Sequence, residues 1–341
     1  MKLFRRILFP FAVLYGVIVT IRNFLFDVGF LKSYAFPMPI IAVGNLSVGG
    51  TGKTPQIEYL IRLLSNKYRV ATLSRGYKRQ SKGFLLADSS VNAAILGDEP
   101  FQFFQKFPAI QVAVDANRKN GIEQLVSQKR TPEIILLDDA YQHRKVKAGF
   151  YILLTAYGDL YANDFLLPTG NLRESRSGAQ RAAIVVVTKC PKSLSEAEQI
   201  SIKKQLNVAR NQQLYFTFID YEDSIYSKDS KIKVMDLGNE SKLLLAGIAK
   251  PEPFFEYLKK ENDLCLTFPD HHHFSESEIT AIQKQANGRK IITTEKDYVR
   301  LKDAILFDQL YYLPIRSSFI TNEKEFDQTI LNYVGTSSRN R

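Results

Sequence analysis

Aliphatic residues in this chain gather in short, nearly unbroken runs set apart by polar stretches. Residues 40–43 (IIAV), 70–73 (VATL), 112–114 (VAV), 134–137 (IILL), 151–154 (YILL), 183–187 (AIVVV) and 214–219 (LYFTFI) all read as strands. Unbroken apolar runs, unlike clean alternation, mark strands buried on both faces of a mostly parallel sheet. After the first run, Ile57, Leu60, Ile61 and Leu64 recur at helical spacing. A doubly wound α/β domain follows, with ligands gathered at the carboxyl ends of its strands. Between about residues 220 and 239 the composition turns charged and polar, and then a fresh apolar pattern begins. Runs at 243–245, 264–268, 291–292 and 310–313, with a helix near 253–258, predict a smaller α/β domain. The predicted organisation is an N-terminal apolar segment (1–31), a larger domain (32–220) and a smaller one (221–341).

The N-terminal segment is basic at both ends. Lys2, Arg5 and Arg6 precede an uncharged run, residues 7–21, which Arg22, Asn23 and Asp27 then break among Phe24, Leu25, Phe26 and Phe30. No small-residue cleavage site follows it, against a signal peptide. Fifteen residues fall short of the roughly 20 that span a bilayer. A helix lying in a membrane interface fits, and a helix packed on the body of the protein is the alternative.

Between the first strand and its helix lies the chemistry the pattern points to. Residues Ser47, Val48, Gly49, Gly50, Thr51, Gly52, Lys53 and Thr54 form a glycine-rich turn that leads into a helix. Strand, glycine loop, Lys-Thr and helix in that order make a P-loop, and the sheet a P-loop NTPase type with helices on both faces. Glycines let backbone amides turn inward around phosphate oxygens, and the helix N-terminus adds its positive end. Lys53 is placed to reach the β- and γ-phosphates of ATP, and the Thr54 hydroxyl to ligate Mg²⁺. The strict motif has glycine where this chain has Ser47. The strand 134–137 ends in Asp138 and Asp139, and an aliphatic strand ending in Asp is the metal-holding half of a P-loop site.

Other polar groups follow strand ends without being diagnostic. Residues 74–79 (SRGYKR) offer three cations, Arg75 among them, either to grip a phosphate or simply as a solvated loop. Asp98, in GDEP, reads as a residue near a helix N-cap. Arg173 and Glu174 lie in a Gly- and Ser-containing loop, and Thr188-Lys189 ends another strand. Three of the four histidines stand together at His271, His272 and His273, just before a capping box formed by Ser275 and Glu278. Consecutive histidines cannot all face one ion, so zinc is a poor reading. The sequence 293–297 (TTEKD) reads equally well as a helix cap.

The totals narrow the partners. A net charge of +11 with pI near 9.4 suits phosphate-rich or anionic-membrane partners. No recognisable nucleic-acid module accompanies it, so no nucleic-acid partner is expected. Cys190 and Cys265 are far apart, which suits a reducing compartment and excludes a disulfide framework.

Taken in order, GNLSVGGTGKTP, SRGYKR, GDEP, LLDDAYQHR, LRE, FPDHHHF and TTEKDYVRL closely resemble the tetraacyldisaccharide 4′-kinase (lipid A 4′-kinase) family, up to about residue 316. The resemblance implies a kinase dependent on ATP and Mg²⁺, peripheral or monotopic on the cytoplasmic face of the inner membrane. It also implies the acceptor, the 4′-hydroxyl of a lipidated glucosamine disaccharide 1-phosphate, and an active site in a cleft between the two domains. The variant P-loop is a family trait. Residue by residue, the resemblance gives Lys53 and Thr54 the phosphate and Mg²⁺ positions, and makes Asp138 and Asp139 the metal carboxylates. Asp98 takes the position of the catalytic base and His271 that of its partner, with His272 a rival. Arg118, Arg173 and Glu174 match further polar positions. Ala140 and Lys78 stand where the family pattern has glycine. A membrane-recruited ATPase or GTPase switch is the alternative compatible with the same P-loop and N-terminus.

Overall fold

The structure is a computed structural model describing residues 5, 7–270, 272–305 and 308–339. It divides into two compact units: residues 1–91, 95–219 and 317–341 form the first, and residues 92–94 and 220–316 the second. Residues 317–341 thus group with the first unit, whereas the sequence pattern placed them with the smaller domain.

The first unit opens with helix α1 (Phe9–Asp27). Strand β1 (Ile40–Asn45) follows, buried at every position, and leads through the glycine loop into α2 (Lys53–Leu64). Next come β2 (Val70–Ser74), β3 (Leu85–Leu86), α3 (Asp98–Lys106), β4 (Gln111–Val114) and α4 (Arg118–Val126). The unit continues through β5 (Ile134–Asp138), β6 (Phe150–Ala156), β7 (Ile184–Thr188), α5 (Glu196–Leu206) and β8 (Gln213–Tyr221). These strands form one nine-stranded sheet in the order Ile315–Phe319, β8, β7, β6, β1, β5, β2, β4, β3. The central pairings, β1 with β5 and β6, β2 with β4 and β5, and β7 with β6 and β8, are all parallel. The short β3 runs antiparallel on β4 at one edge.

The unbroken apolar runs are explained by burial on both faces. One face packs Ile40, Ala42, Leu73, Ile135 and Leu137 against Ile122 and Leu125 of α4. Farther along the same face, Leu153, Val185 and Val187 meet Leu160, Leu172, Ile202 and Leu206, while Ile41, Val43, Ile134, Leu136, Ile152, Leu154 and Val186, which alternate with these, are buried on the other face. Each fully buried aliphatic side chain contributes about 1.5–3 kcal/mol relative to exposure, which is why these runs leave no room for polar alternation.

The second unit carries a six-stranded sheet of β9 (Ser224–Tyr226), β10 (Lys231–Lys233), β11 (Leu243–Ala246), β12 (Leu264–Thr267), β13 (Ile291–Thr294) and β14 (Leu310–Leu313). Its order is β10-β9-β14-β13-β11-β12, with β12, β11, β13 and β14 parallel. Helices α6 (Glu252–Leu258), α7 (Glu276–Ala286) and α8 (Glu295–Leu301) pack on it.

Candidate active site

The P-loop occupies the carboxyl end of β1. Gly49 and Gly52 hold left-handed φ angles of 114° and 82°, which side chains disfavour. The N-cap of α2 is Gly52 itself, with no side-chain cap on the helix amides behind it. Those amides and the positive end of the helix are therefore aimed at the loop mouth, the arrangement that binds phosphate. Ser47 needs no such freedom: it bridges Leu172 in extended pairing, and the Val48 N–H donates to the Asn171 carbonyl at 2.8 Å. Two side chains fix the rest of the loop. Asn45 Nδ2 donates to Thr51 Oγ1 at 2.7 Å, and the Thr188 hydroxyl donates to the Thr51 carbonyl at 2.8 Å. Thr188, at the end of β7, is thus a loop-holding residue that the sequence showed only as the undiagnostic end of a strand.

The paired carboxylates stand at the end of β5, the neighbour of β1. Asp138 is buried, and burial together with the charges of Asp139 and Glu99 pushes its carboxyl up to about 7, against the pull of Lys53 and Arg118. The Ser74 hydroxyl lies 3.4 Å from its Oδ2, while its Oδ1 is buried with no hydrogen-bond partner. Asp139 is held differently. Burial works to raise its carboxyl, but Lys53, Arg173 and Arg118 win and hold it below the ordinary carboxylate value. Lys53 Nζ stands 3.6 Å from Asp139 Oδ1, and Arg173 Nη1 donates to Oδ1 and Oδ2 at 3.0 and 3.1 Å. Asp139 takes φ 47°, a left-handed conformation that Asp tolerates. The two neighbours therefore differ in kind: one is a buried carboxylate without a cation of its own, the other a lysine and arginine anchor.

Arg118, at the start of α4, is buried rather than solvated, and burial pushes its guanidinium down to about 10. It donates to the Asp115 carbonyl at 2.5 Å and to the Asp138 carbonyl at 3.1 Å, buttressing the end of β5. Arg75, one residue beyond β2, is exposed. Burial first, then Arg118, Lys145, Arg75 and Arg22, push His143 down to about 4, so this end of the sheet is strongly cationic around a neutral imidazole. Lys78, where the family pattern has glycine, sits at φ 58°, the conformation glycine would supply. Ala140 needs none, because the left-handed turn falls on Asp139 instead.

Asp98 and Glu99 form the first turn of α3. Their N-cap, Gly97, lies against the Gly76 backbone, where an added Cβ would stand 3.3 Å from Gly76 Cα. The start of α3 is therefore lodged on the loop that follows β2, at the same sheet edge as Asp138. Glu174 is wholly buried: Arg181 Nη2, Gln142 Nε2 and Asn23 Nδ2 donate to its carboxylate at 2.8, 3.0 and 3.0 Å.

In the second unit, His272 Nε2 lies 2.9 Å from Glu278 Oε1, and its ring packs on Phe268 and Phe274. The expected partner of Asp98, His271, lies outside the described residues. Ser275 and Glu278 form the capping box read from the sequence. Residues 293–297 are a cap as well. Thr294 caps α8, and the buried Asp297 accepts from the Gly247 N–H and the Thr294 hydroxyl at 2.8 and 2.7 Å.

Residues 4–335 match the family described as tetraacyldisaccharide-1-P 4′-kinase. A tetraacyldisaccharide 4′-kinase of Flavobacterium johnsoniae is 72% identical over 334 residues, 98% of each chain. One from Bacteroides thetaiotaomicron is 46% identical, covering 98% of this chain and 94% of that one. Among solved structures, LpxK from Aquifex aeolicus in complex with ATP is 31% identical, with a TM-score of 0.78 over 97% of this chain and 99% of that one.

Proposed function

Because the chain belongs to the tetraacyldisaccharide-1-P 4′-kinase family, we propose that it transfers the γ-phosphate of ATP to the 4′-hydroxyl of a lipidated glucosamine disaccharide 1-phosphate in lipid A biosynthesis. The observation that carries the reading is the P-loop at the end of β1 beside the two carboxylates at the end of the adjacent β5. Phosphoryl transfer needs little covalent chemistry from the protein; it needs the phosphates positioned and their charge stabilised. The glycine-loop amides and Lys53 grip the triphosphate, Asp98 accepts the proton of the attacking hydroxyl, and Arg118 keeps the end of β5 in place. The partner role of His271 rests on the sequence resemblance alone.

The residues present fit Mg²⁺. A buried carboxylate with one oxygen lacking any hydrogen-bond partner, Asp138, stands at the end of β5, the strand next to β1, whose glycine loop leads into the first turn of α2 and its Thr54 hydroxyl. Asp138 and Thr54 would hold the ion, with Asp139 beside them. When bound, Mg²⁺ neutralises charge on the transferring phosphate. Asp139, already engaged by Lys53 and Arg173, keeps the lysine at the loop mouth in readiness for the nucleotide.

Incubation with γ-labelled ATP and the lipid disaccharide, resolved by thin-layer chromatography, tests the reaction: label appears on the lipid. Label released only as free phosphate, with or without lipid, would replace the kinase with a nucleotide switch. Lys53→Ala is expected to weaken ATP binding about tenfold and to lower transfer further, since a charge-assisted contact to phosphate is lost. A variant with wild-type kcat/KM would count against the phosphate-binding assignment.

We place the protein on the cytoplasmic face of the inner membrane through α1. This helix runs six residues past the uncharged stretch 7–21, from Arg22 to Asp27, and its 19 residues make it longer than the uncharged run. By length and composition it passes as a membrane-crossing helix. Ile7, Phe11, Leu14, Ile18 and Phe24 are more than half exposed, an apolar face suited to the interface. Removing residues 1–31 is expected to move the protein from the membrane to the soluble fraction and to weaken turnover of lipid; unchanged sedimentation would make α1 an ordinary packed helix.

A further inference from the structure

On the face opposite its exposed apolar residues, α1 is bonded to the loop that reaches the active-site carboxylates. Ala12, Tyr15, Gly16, Val19 and Asn23 recur at helical spacing and turn inward. Gly16 allows the close approach: a Cβ there would meet Leu166 Cδ1 at 2.7 Å. The Tyr15 hydroxyl donates to the Arg173 carbonyl at 2.7 Å, and Asn23 Nδ2 donates to Glu174 Oε2 at 3.0 Å. The same two loop residues face the catalytic centre. Arg173 grips Asp139, and Gln142, bonded to Glu174, also donates to the Asn45 carbonyl at the end of β1 at 2.7 Å. A continuous set of bonds therefore runs from α1, through residues 173 and 174, to Asp139 and the root of the P-loop.

We propose that Tyr15 and Asn23 are positioning residues for phosphate transfer: by clamping the backbone of Arg173 and the carboxylate of Glu174, α1 holds Arg173 in its grip on Asp139. The assignment rests on the kinase reading above. Two features argue for more than docking. The bonds land on the two residues that carry the carboxylate network, and Glu174 is wholly buried, so losing a donor leaves a buried carboxylate oxygen short of a partner. Docking of the helix alone is served elsewhere, by Arg144, which donates to the Asn23 carbonyl and pairs with Asp27. Arg173 shifted by a fraction of an ångström releases Asp139, and with it Lys53, from the arrangement that receives the triphosphate.

The test compares Tyr15→Phe and Asn23→Leu with the full-length wild type on lipid substrate in detergent–lipid micelles. Tyr15→Phe removes one oxygen and keeps the ring, so it decides the matter even where Asn23→Leu folds poorly. The expected result is a fall in kcat of about tenfold, the scale of a small misplacement remote from the chemistry, with binding of a fluorescent ATP analogue and sedimentation with phosphatidylglycerol vesicles within about twofold of wild type. Wild-type kcat in Tyr15→Phe, or a fall that only tracks lost vesicle binding, would overturn the proposal. A wild-type protein that labels no lipid in the same assay would instead defeat the kinase reading, so the two failures are distinct.

Discussion

Asp98→Ala is expected to lower kcat by about 10²–10⁴, the usual cost of a missing general base, while ATP binds nearly as well as before. The reason is a division of labour within the first unit. In the proposed site, nucleotide affinity resides in the loop amides, Lys53 and Thr54, which belong to the turn at Gly49–Gly52 and the start of α2. Asp98 belongs to a different element, the first turn of α3, whose N-cap Gly97 is pressed against Gly76. A sugar hydroxyl is a weak nucleophile at neutral pH, so its proton must leave as the bond to phosphorus forms, and a positioned carboxylate receives it. Steady-state kinetics with saturating lipid, beside equilibrium binding of an ATP analogue, separates the two terms. Unchanged turnover in Asp98→Ala would remove it from the mechanism. His271→Ala extends the measurement. If the two residues act as a unit, the double variant loses little more than Asp98→Ala alone, whereas independent roles multiply.

Much of this was legible because the signals were local. The glycine turn between an aliphatic strand and a helix needs no tertiary information, and strands buried on both faces announce themselves as unbroken apolar runs. What escaped the sequence was non-local. Residues 317–341 were read with the smaller domain because they follow it along the chain. In the structure an aromatic cluster draws them back to the first sheet. Phe319 and Phe326 pack on Tyr59 and Tyr215 at 5.1–5.9 Å between centroids and on each other at 4.7 Å, and the Tyr333 hydroxyl bonds to the backbone of Ile40. No periodicity within the segment encodes those partners. Likewise, Arg173 and Glu174 entered the site through the family resemblance alone; it is the fold that seats Arg173 on Asp139 and buries Glu174 among Asn23, Gln142 and Arg181. Asp138 and Asp139 look equivalent as letters; only their neighbours make one a protonatable buried group and the other an anchored anion.

That difference yields the second large effect, in which activity and stability move in opposite directions. Asp138→Asn is expected to cut turnover by about 10² or more, since it removes the carboxylate proposed to hold the Mg²⁺ that neutralises charge on the transferring phosphate, yet to stabilise the nucleotide-free protein above neutral pH. The sign follows from linkage. The folded-state value is pushed up to about 7 from an ordinary 3.8, so between those two values the folded protein holds a proton that the unfolded chain has released. Stability contributed by that proton is complete below about pH 4, declines as pH rises through the window, and is gone above about pH 7. Asparagine does not titrate, so the variant lacks this decline. At about 1.4 kcal/mol per pKa unit, reduced for relaxation and water entry, the gain at about pH 8 is about 2 kcal/mol. The variant and wild type should then differ little at about pH 4, separate progressively as pH rises to about 7, and keep that gap at about pH 8 in urea denaturation. Adding Mg²⁺ and ATP should narrow the gap by stabilising the wild type, whose carboxylate then has a cation to face. Parallel stability profiles for the two proteins across this range would mean that Asp138 is ionised at no cost, and that the buried carboxylate is not held in readiness for a metal.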